Sequence, residues 1–172
     1  AADLMIEAAL RVERAGADFL LICTNTMHKL ADQVADAINI PLLHIADATA
    51  ATILSAGSSK IGLLGTRFTM EEDFYRGRLE KHHDLEVLIP GADDRRLVHD
   101  VIYDELCLGT IREESRLAYT RIIDRLVSQG AQGVILGCTE ISLLVKPEHA
   151  TCPLFDTTRI HAIRAVDRAL TD

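Results

Sequence analysis

The chain has 172 residues and a formal net charge of −8 at pH 7, with 48% hydrophobic residues, which is typical of a globular protein with one good core or two small ones. The acidic balance and the 4% of aromatic residues argue against a nucleic-acid partner, because phosphate binding needs clustered positive charge. The apolar runs are too short for a membrane span or a signal peptide, and four cysteines in such a chain favour a reducing cytoplasm over a disulfide scaffold.

The first part of the chain predicts alternating helices and buried strands. A helical apolar period begins near residue 4 and stops at Gly16, a residue type that commonly ends helices. The short apolar run Phe19–Ile22 is typical of a fully buried strand in a parallel sheet, and it leads into Cys23-Thr24-Asn25-Thr26. The pattern then predicts a helix over 27–37, a strand over 40–45 and a helix over 46–56.

The middle of the chain continues this alternation. It predicts, in order, a strand over 60–66, a helix over 71–81, a strand over 85–89 and a helix over 95–108. Strands that alternate with helices indicate an α/β fold with parallel sheets.

The last part of the chain repeats the first. A helix that begins near residue 115 stops at Gly130, and the strand Val134–Leu136 ends in Gly137-Cys138-Thr139; a strand over 152–156 and a helix over 158–170 follow. Good packing of helix–strand units explains the repeated glycines and apolar strands, but it does not explain why Cys-Thr follows the strand both times. Because ligands of open α/β sheets bind beyond the carboxyl ends of the strands, the repeat predicts one thiol from each copy at a shared ligand site.

Two opposed thiols suit proton transfer at a carbon atom. A cysteine between a strand end and a helix N-terminus has its thiolate stabilised by the helix dipole and by free backbone N–H groups. A modest lowering of the thiol pKa from its ordinary value of about 8.5 makes the cysteine a usable base near neutral pH. One thiolate that removes a proton, and one thiol that returns a proton to the opposite face, racemise a substrate without a metal or pyridoxal cofactor. The same N–H groups, with Asn25, Thr26 and Thr139, can hold the substrate carboxylate.

Short motifs over nearly the whole chain resemble the aspartate/glutamate racemase superfamily, whose enzymes need no cofactor. Its two cysteine signatures resemble Cys23-Thr24-Asn25-Thr26-Met27-His28 and Gly137-Cys138-Thr139-Glu140. Four further segments resemble its broad-specificity amino-acid racemase branch, at residues 45–49, 64–70, 73–77 and 104–109. The resemblance is specific because both cysteine signatures occur in order and at repeat-related positions.

The resemblance implies two α/β lobes related by a pseudo-two-fold axis, with the active site between them. Residues 1–47 and 151–172 are expected to form the first lobe and residues 48–150 the second. A strand–helix section that begins the family's fold is expected to be missing ahead of Ala1. The resemblance further implies an amino-acid substrate, no cofactor and a homodimer.

The resemblance also assigns roles to individual residues. Cys23 and Cys138 are the expected acid/base pair, and His28 and Glu140 are expected to orient or poise the thiols. The residues expected to contact the substrate are Thr24, Asn25, Thr26, Thr139, Thr66, Thr69 and Cys107. Thr66 and Thr69 are expected to contact the carboxylate on a different ground, because they stand at and just after the end of the strand over 60–66.

Two departures from the family pattern bear on the substrate. Relatives selective for acidic substrates can carry a basic residue where this chain has Cys107, and a thiol cannot pair with a distal carboxylate. Strict aspartate selectivity is therefore not expected. Glu140 stands where glutamate racemases commonly have histidine, which argues against the glutamate enzyme of cell-wall synthesis.

Other interpretations remain open at this point. The alternatives within the superfamily are a hydantoin racemase and a diacid decarboxylase or isomerase, and the decarboxylases need only one of the two thiols. It can also be a small-molecule-binding protein without turnover, in which Cys23 and Cys138 are inert core thiols. For Cys107 buried packing is the alternative to a substrate contact, and Cys152 is expected to be structural. No metal site is expected, because the sequence contains no Cys-x-x-Cys pair.

Overall fold

The computed structural model describes residues 1–171 as an α/β fold. The strands are β1 (Leu20–Leu21), β2 (Leu42–Leu43), β3 (Lys60–Gly65), β4 (Glu86–Leu88), β5 (Val134–Gly137) and β6 (Leu154–Asp156). The helices are α1 (Ala2–Arg14), α2 (Ala31–Ala35), α3 (Ile45–Ser55), α4 (Arg67–Glu71), α5 (Arg76–His83), α6 (Ala92–Asp104), α7 (Glu113–Ser128), α8 (Ile141–Leu144) and α9 (Thr157–Thr171). Short 3-10 helices cover Thr26–Leu30, Leu106–Leu108 and Pro147–His149.

The strands form two parallel sheets. β1 pairs with β2 in a two-stranded sheet, and the larger sheet has the strand order β4-β3-β5-β6. In the larger sheet β3 and β5 end in register, with Gly65 opposite Gly137. The residues that follow these strands, Thr66 and Cys138, therefore leave the sheet side by side at its carboxyl edge.

Gly65 and Gly137, the two glycines at this edge, allow the neighbouring strands β3 and β5 to approach each other closely. A Cβ atom at Gly137 would lie 2.8 Å from the Leu64 carbonyl oxygen, and one at Gly65 would lie 3.1 Å from the Gly137 carbonyl oxygen. Side chains at these positions would force β3 and β5 apart where the cysteine loop begins. The glycines therefore help to fix where Cys138 sits.

The main core lies on both faces of the larger sheet. Leu63, Leu64 and Ile135 are fully buried in its central strands. Helix α7 buries one face at helical spacing, including Tyr119 and Ile123, and the Tyr119 hydroxyl donates to the Val98 carbonyl oxygen at 2.8 Å. A smaller cluster of Ala9, Val34 and Ile38 joins α1 and α2 beside the two-stranded sheet.

Most predicted elements are confirmed, and two predicted helices are wrong. Helices α1 and α7 end just before Gly16 and Gly130, which adopt left-handed conformations with φ of 88° and 100°. The helix predicted over 27–37 is a 3-10 turn followed by α2, and the helix predicted over 71–81 begins only at Arg76, as α5, after the unpredicted helix α4. In the first case the reason is tertiary, because side chains of the 3-10 turn bond to other segments.

The sheet pairing differs from the predicted lobe boundary at one strand. Residues 151–172 were expected in the first lobe, yet β6 pairs with β5 in the larger sheet, with Phe155 opposite Ile135. Helix α9 leaves that sheet and packs against α3. β6 therefore belongs to the same parallel sheet as β3, β4 and β5.

Within residues 1–171, none of the helices combines the length and the apolar character needed to cross a bilayer.

Candidate active site

A pocket of about 270 Å³ lies at the carboxyl edge of the larger sheet, where residues after β1, β3 and β5 meet. Its volume is below the roughly 300–1,000 Å³ of sites for drug-sized ligands and suits a smaller molecule. Its lining residues are Thr24, Asn25, Thr26, Met27, Thr66, Ile102, Tyr103, Cys107, Gly137, Cys138, Thr139 and Glu140. The structure therefore brings most of the sequence-predicted site residues into one pocket.

Cys138 carries a protonated thiol that is paired with a carboxylate. It is half-buried, and its Sγ donates to Glu140 Oε2 at 2.8 Å. Burial and the Glu140 carboxylate raise the pKa of the thiol to about 12. The expectation of a lowered thiol pKa is wrong for Cys138. The following helix α8 has only four residues, and its dipole is too weak to offset burial and a neighbouring negative charge.

Glu140 holds its negative charge in this arrangement. Burial acts to raise the pKa of its carboxyl group, but hydrogen bonds from the Cys138 thiol and Thr139 outweigh burial and lower it. Glu140 is also the one lining residue with a charged side chain within residues 1–171. Both pKa shifts keep the shared proton on Cys138 Sγ and the negative charge on Glu140.

Cys23 lies at the border of the pocket rather than in its lining. It is exposed at the end of β1 and lines a separate depression with α1, including Met5 and Val12. Its neighbour Thr24 does line the pocket, and consecutive Cα atoms are about 3.8 Å apart. The structure thus places the two Cys-Thr segments next to each other, but it places only the second thiol among the residues that line the pocket.

His28 holds the backbone beside Cys23 and does not contact a thiol. It is 2% exposed, its Nδ1 donates to the Thr24 carbonyl oxygen at 2.7 Å, and its Nε2 accepts from the Ile45 N–H at 3.2 Å. These two bonds require the neutral tautomer with its proton on Nδ1. Burial lowers the pKa of His28 to about 4, and the His44 ring packs against it with ring centres 4.3 Å apart. His28 therefore anchors the loop to the start of α3.

Asn25 is buried with one polar atom unused. It is 3% exposed, and its Nδ2 donates to the Thr157 hydroxyl at 3.0 Å, while its Oδ1 has no hydrogen-bond partner among the described residues. A buried acceptor without a donor costs about 1–3 kcal/mol, which a bound ligand with an N–H group could recover. Sequence reasoning missed Thr157, because 132 residues separate it from Asn25 and no local motif marks it.

Three threonine hydroxyls join the loop after β1 to the end of β3. Thr26 Oγ1 lies 3.2 Å from Thr66 Oγ1 and 3.5 Å from Thr69 Oγ1, and the latter two hydroxyls are 3.2 Å apart. Thr26 and Thr66 line the pocket, and Thr69 is fully buried outside its lining. In this structure Thr69 therefore supports Thr66 rather than facing the pocket.

One wall of the pocket comes from α6 and the turn after it. Cys107 is exposed and lines the pocket, so the alternative that it packs in the core is wrong, whereas Cys152 is half-buried against the core. Ile102 and Tyr103 complete this wall and were missed, because only the tertiary packing of α6 decides which residues reach the site. No cluster of histidine, cysteine or acidic side chains in residues 1–171 is arranged to hold a metal ion.

The sequence model of a protein family described as Asp/Glu/Hydantoin racemase matches residues 1–165 of the chain. The chain belongs to this racemase family. A curated relative, the broad specificity amino-acid racemase of Bacillus subtilis (strain 168), is 23% identical over 158 residues. That match covers 90% of this chain and 66% of the relative, so a part of the relative has no counterpart here.

Solved structures of related proteins share this fold. A Yersinia pestis protein assigned to the Asp/Glu racemases is 56% identical and superposes with a TM-score of 0.95, covering 99% of this chain and 74% of that one. An aspartate racemase homologue from Pyrococcus horikoshii OT3 is 36% identical, with a TM-score of 0.88 over 98% of this chain and 74% of its own. The α/β fold with parallel sheets is therefore the fold of the racemase family.

Proposed function

We propose that this racemase-family chain is a cofactor-independent amino-acid racemase in which Cys23 and Cys138 exchange protons with opposite faces of the substrate Cα. The observation that carries the proposal is the Cys138 thiol, held in its protonated form beside Glu140 in a small pocket. Because this thiol keeps its proton, it is present in the form that can donate a proton to the substrate Cα. Membership of the racemase family supports the reaction type.

The two thiols have different roles in each direction. In one direction the Cys23 thiolate removes the Cα proton, and Cys138 donates its proton to the opposite face. In the reverse direction Cys138 must act as the base, although burial and the Glu140 carboxylate at 2.8 Å both favour its protonated form. The reverse direction therefore starts from the form that the first direction leaves behind, with Cys138 as the thiolate and Cys23 as the thiol.

The hydroxyl-rich side of the pocket is the proposed site of the substrate carboxylate. Thr26, Thr66 and Thr139 offer hydroxyl groups there, next to the thiol of Cys138. Hydrogen bonds to the carboxylate also stabilise the charge that develops on it when the Cα proton leaves. The substrate Cα would then lie between this side and the thiols.

The substrates that we propose are amino acids of broad range, including those with uncharged side chains. Ile102, Tyr103 and Cys107 form an uncharged wall, and Glu140 is the charged group in the lining formed by residues 1–171. A distal carboxylate of aspartate or glutamate finds no cation among these lining residues. The name of the Bacillus subtilis relative, a broad specificity racemase, supports the same proposal.

The experiment incubates single amino-acid enantiomers in heavy water and follows Cα exchange and loss of optical rotation without added cofactor. We expect activity in the parent, loss of activity in Cys23→Ala and in Cys138→Ala, and retained activity in the control Cys152→Ala. Full activity in either of the first two variants, or a requirement for pyridoxal phosphate, contradicts the two-thiol mechanism.

A second candidate follows from the position of Cys23 outside the pocket lining. Chemistry with one thiol, as in the related diacid decarboxylases, would use Cys138 alone. It predicts carbon dioxide release from a diacid that is lost in Cys138→Ala and kept in Cys23→Ala. Hydantoins belong in the same panel because the family description includes them.

A further inference from the structure

The side chain of Thr157 links the two Cys-Thr segments. Thr157 is the first residue of α9 and is fully buried. Its Oγ1 lies 3.0 Å from Asn25 Nδ2 and donates to the Leu136 carbonyl oxygen at 2.9 Å. Asn25 stands two residues after Cys23, and Leu136 stands two residues before Cys138. One buried hydroxyl therefore joins the loop after β1 to the end of β5.

The hydrogen-bonding capacity of this hydroxyl decides the orientation of the Asn25 amide. A hydroxyl has a single proton, and a carbonyl oxygen can only accept, so the Thr157 proton is used on Leu136. Thr157 Oγ1 must then accept from Asn25, which turns the Nδ2 group of Asn25 towards Thr157. Among residues 1–171 the Oδ1 atom is left as an acceptor without a donor, and it is itself buried, although other atoms of Asn25 line the pocket.

We propose that Thr157 is a positioning residue, which holds the Asn25 amide in this orientation and sets the relative position of the two cysteine loops. In this orientation the unpartnered Oδ1 of Asn25 lies buried beside the pocket, and it suits the N–H donors of an ammonium group that reaches it. An ammonium group carries only donors, whereas a keto oxygen at the same place can only accept. The site thereby selects α-amino acids over the corresponding 2-oxo acids. This selectivity rests on the proposed function, but the orientation of the amide does not.

The kinetic test compares three variants. Thr157→Val keeps the size and removes the hydroxyl, Thr157→Ser keeps the hydroxyl, and Thr158→Val changes the exposed neighbour as a control. We expect Thr157→Val to raise KM for the amino acid about tenfold, with a smaller change in kcat, because a misplaced acceptor weakens substrate binding. Thr157→Ser and Thr158→Val are expected to stay within about twofold of the parent. Equal KM in Thr157→Val and Thr158→Val, or no rescue by serine, overturns the proposal.

A second measurement tests the orientation without activity, in the parent protein. The side-chain amide protons of Asn25 should exchange with solvent far more slowly than those of the exposed Asn39, by at least about tenfold in an NMR exchange experiment. In Thr157→Val the Asn25 protons should exchange faster. Equal exchange at Asn25 and Asn39 overturns the proposal even if the variant does not fold. Slow exchange at Asn25 in a protein that racemises nothing would leave the orientation standing and contradict the proposed function alone.

Discussion

The Glu140 carboxylate controls whether the Cys138 thiol keeps its proton, and Glu140→Gln is the perturbation that isolates this control. Glutamine keeps an oxygen that can accept from the thiol, and it removes the negative charge. The thiolate of Cys138 then no longer faces a carboxylate at the 2.8 Å hydrogen-bond distance. We expect the pKa of Cys138 to fall below its present value of about 12, although burial still holds it above the ordinary range.

The size of this effect follows from the distance between the two charges. At 2.8 Å the repulsion between two unit charges is ~1.5 kcal/mol in the dielectric of water and ~6 kcal/mol at an effective dielectric of 20. Because Glu140 is half-buried and solvent screens it, we take the lower value, which corresponds to about tenfold more thiolate. A thiolate of lower pKa is a weaker nucleophile, with a Brønsted coefficient of about 0.5, so reactivity rises by about threefold.

The assay is the rate of alkylation of Cys138 by iodoacetamide at mildly alkaline pH. Cys23, Cys107 and Cys152 are replaced by serine so that one thiol reacts, and Glu148→Gln serves as the control because Glu148 is exposed and outside the pocket lining. We expect alkylation to be at least about threefold faster in Glu140→Gln and unchanged in the control. An unchanged or slower rate in Glu140→Gln would refute the control of Cys138 by this carboxylate.

Three further predictions concern packing, acid stability and specificity. Gly137→Ala should lose about 1–3 kcal/mol of unfolding free energy in urea titrations, because its Cβ would lie 2.8 Å from a β3 carbonyl oxygen, whereas Gly91→Ala, with open space around it, should lose less. Burial lowers the pKa of His28 from 6.5 to about 4, and it also lowers the pKa of His44 from 6.5. As the pH falls, the unfolded chain therefore binds protons before the folded chain does, and the folded state loses stability below pH 6.5. His44→Asn, which keeps a cap for α3, should therefore reduce the difference in urea midpoint between about pH 7 and about pH 5, and an unaltered difference contradicts this assignment. Cys107→Lys should raise kcat/KM for aspartate relative to alanine at least about threefold, since it adds a cation to the pocket wall. An unchanged ratio would mean that residue 107 does not contact the side chain of the substrate.

The order of elements and the location of the pocket could be predicted from local signals. Glycines that end helices and apolar runs that form buried strands are properties of short segments, and they gave α1, α7, β3 and β5. The rule that ligands bind at the carboxyl ends of parallel strands then placed Thr24, Thr66 and Cys138 together.

The contacts that tune the site could not be predicted, because they join residues that are distant in the chain. Thr157 reaches Asn25 across 132 positions, and Thr26 reaches Thr66 across 40. The raised pKa of Cys138 depends on its burial, which no spacing reveals. The position of Cys23 outside the pocket lining likewise follows from the packing of β1 against α1.

The division of labour between two thiols is tested most directly by the fate of deuterium in the first turnovers in heavy water. If one thiol removes the Cα proton and the other delivers a solvent-derived deuteron to the opposite face, the product enantiomer carries deuterium while the recovered substrate stays unlabelled. We predict this pattern from either enantiomer. Deuterium that enters the recovered substrate as fast as the product would mean that one group exchanges protons with both faces, and it would contradict the two-thiol account.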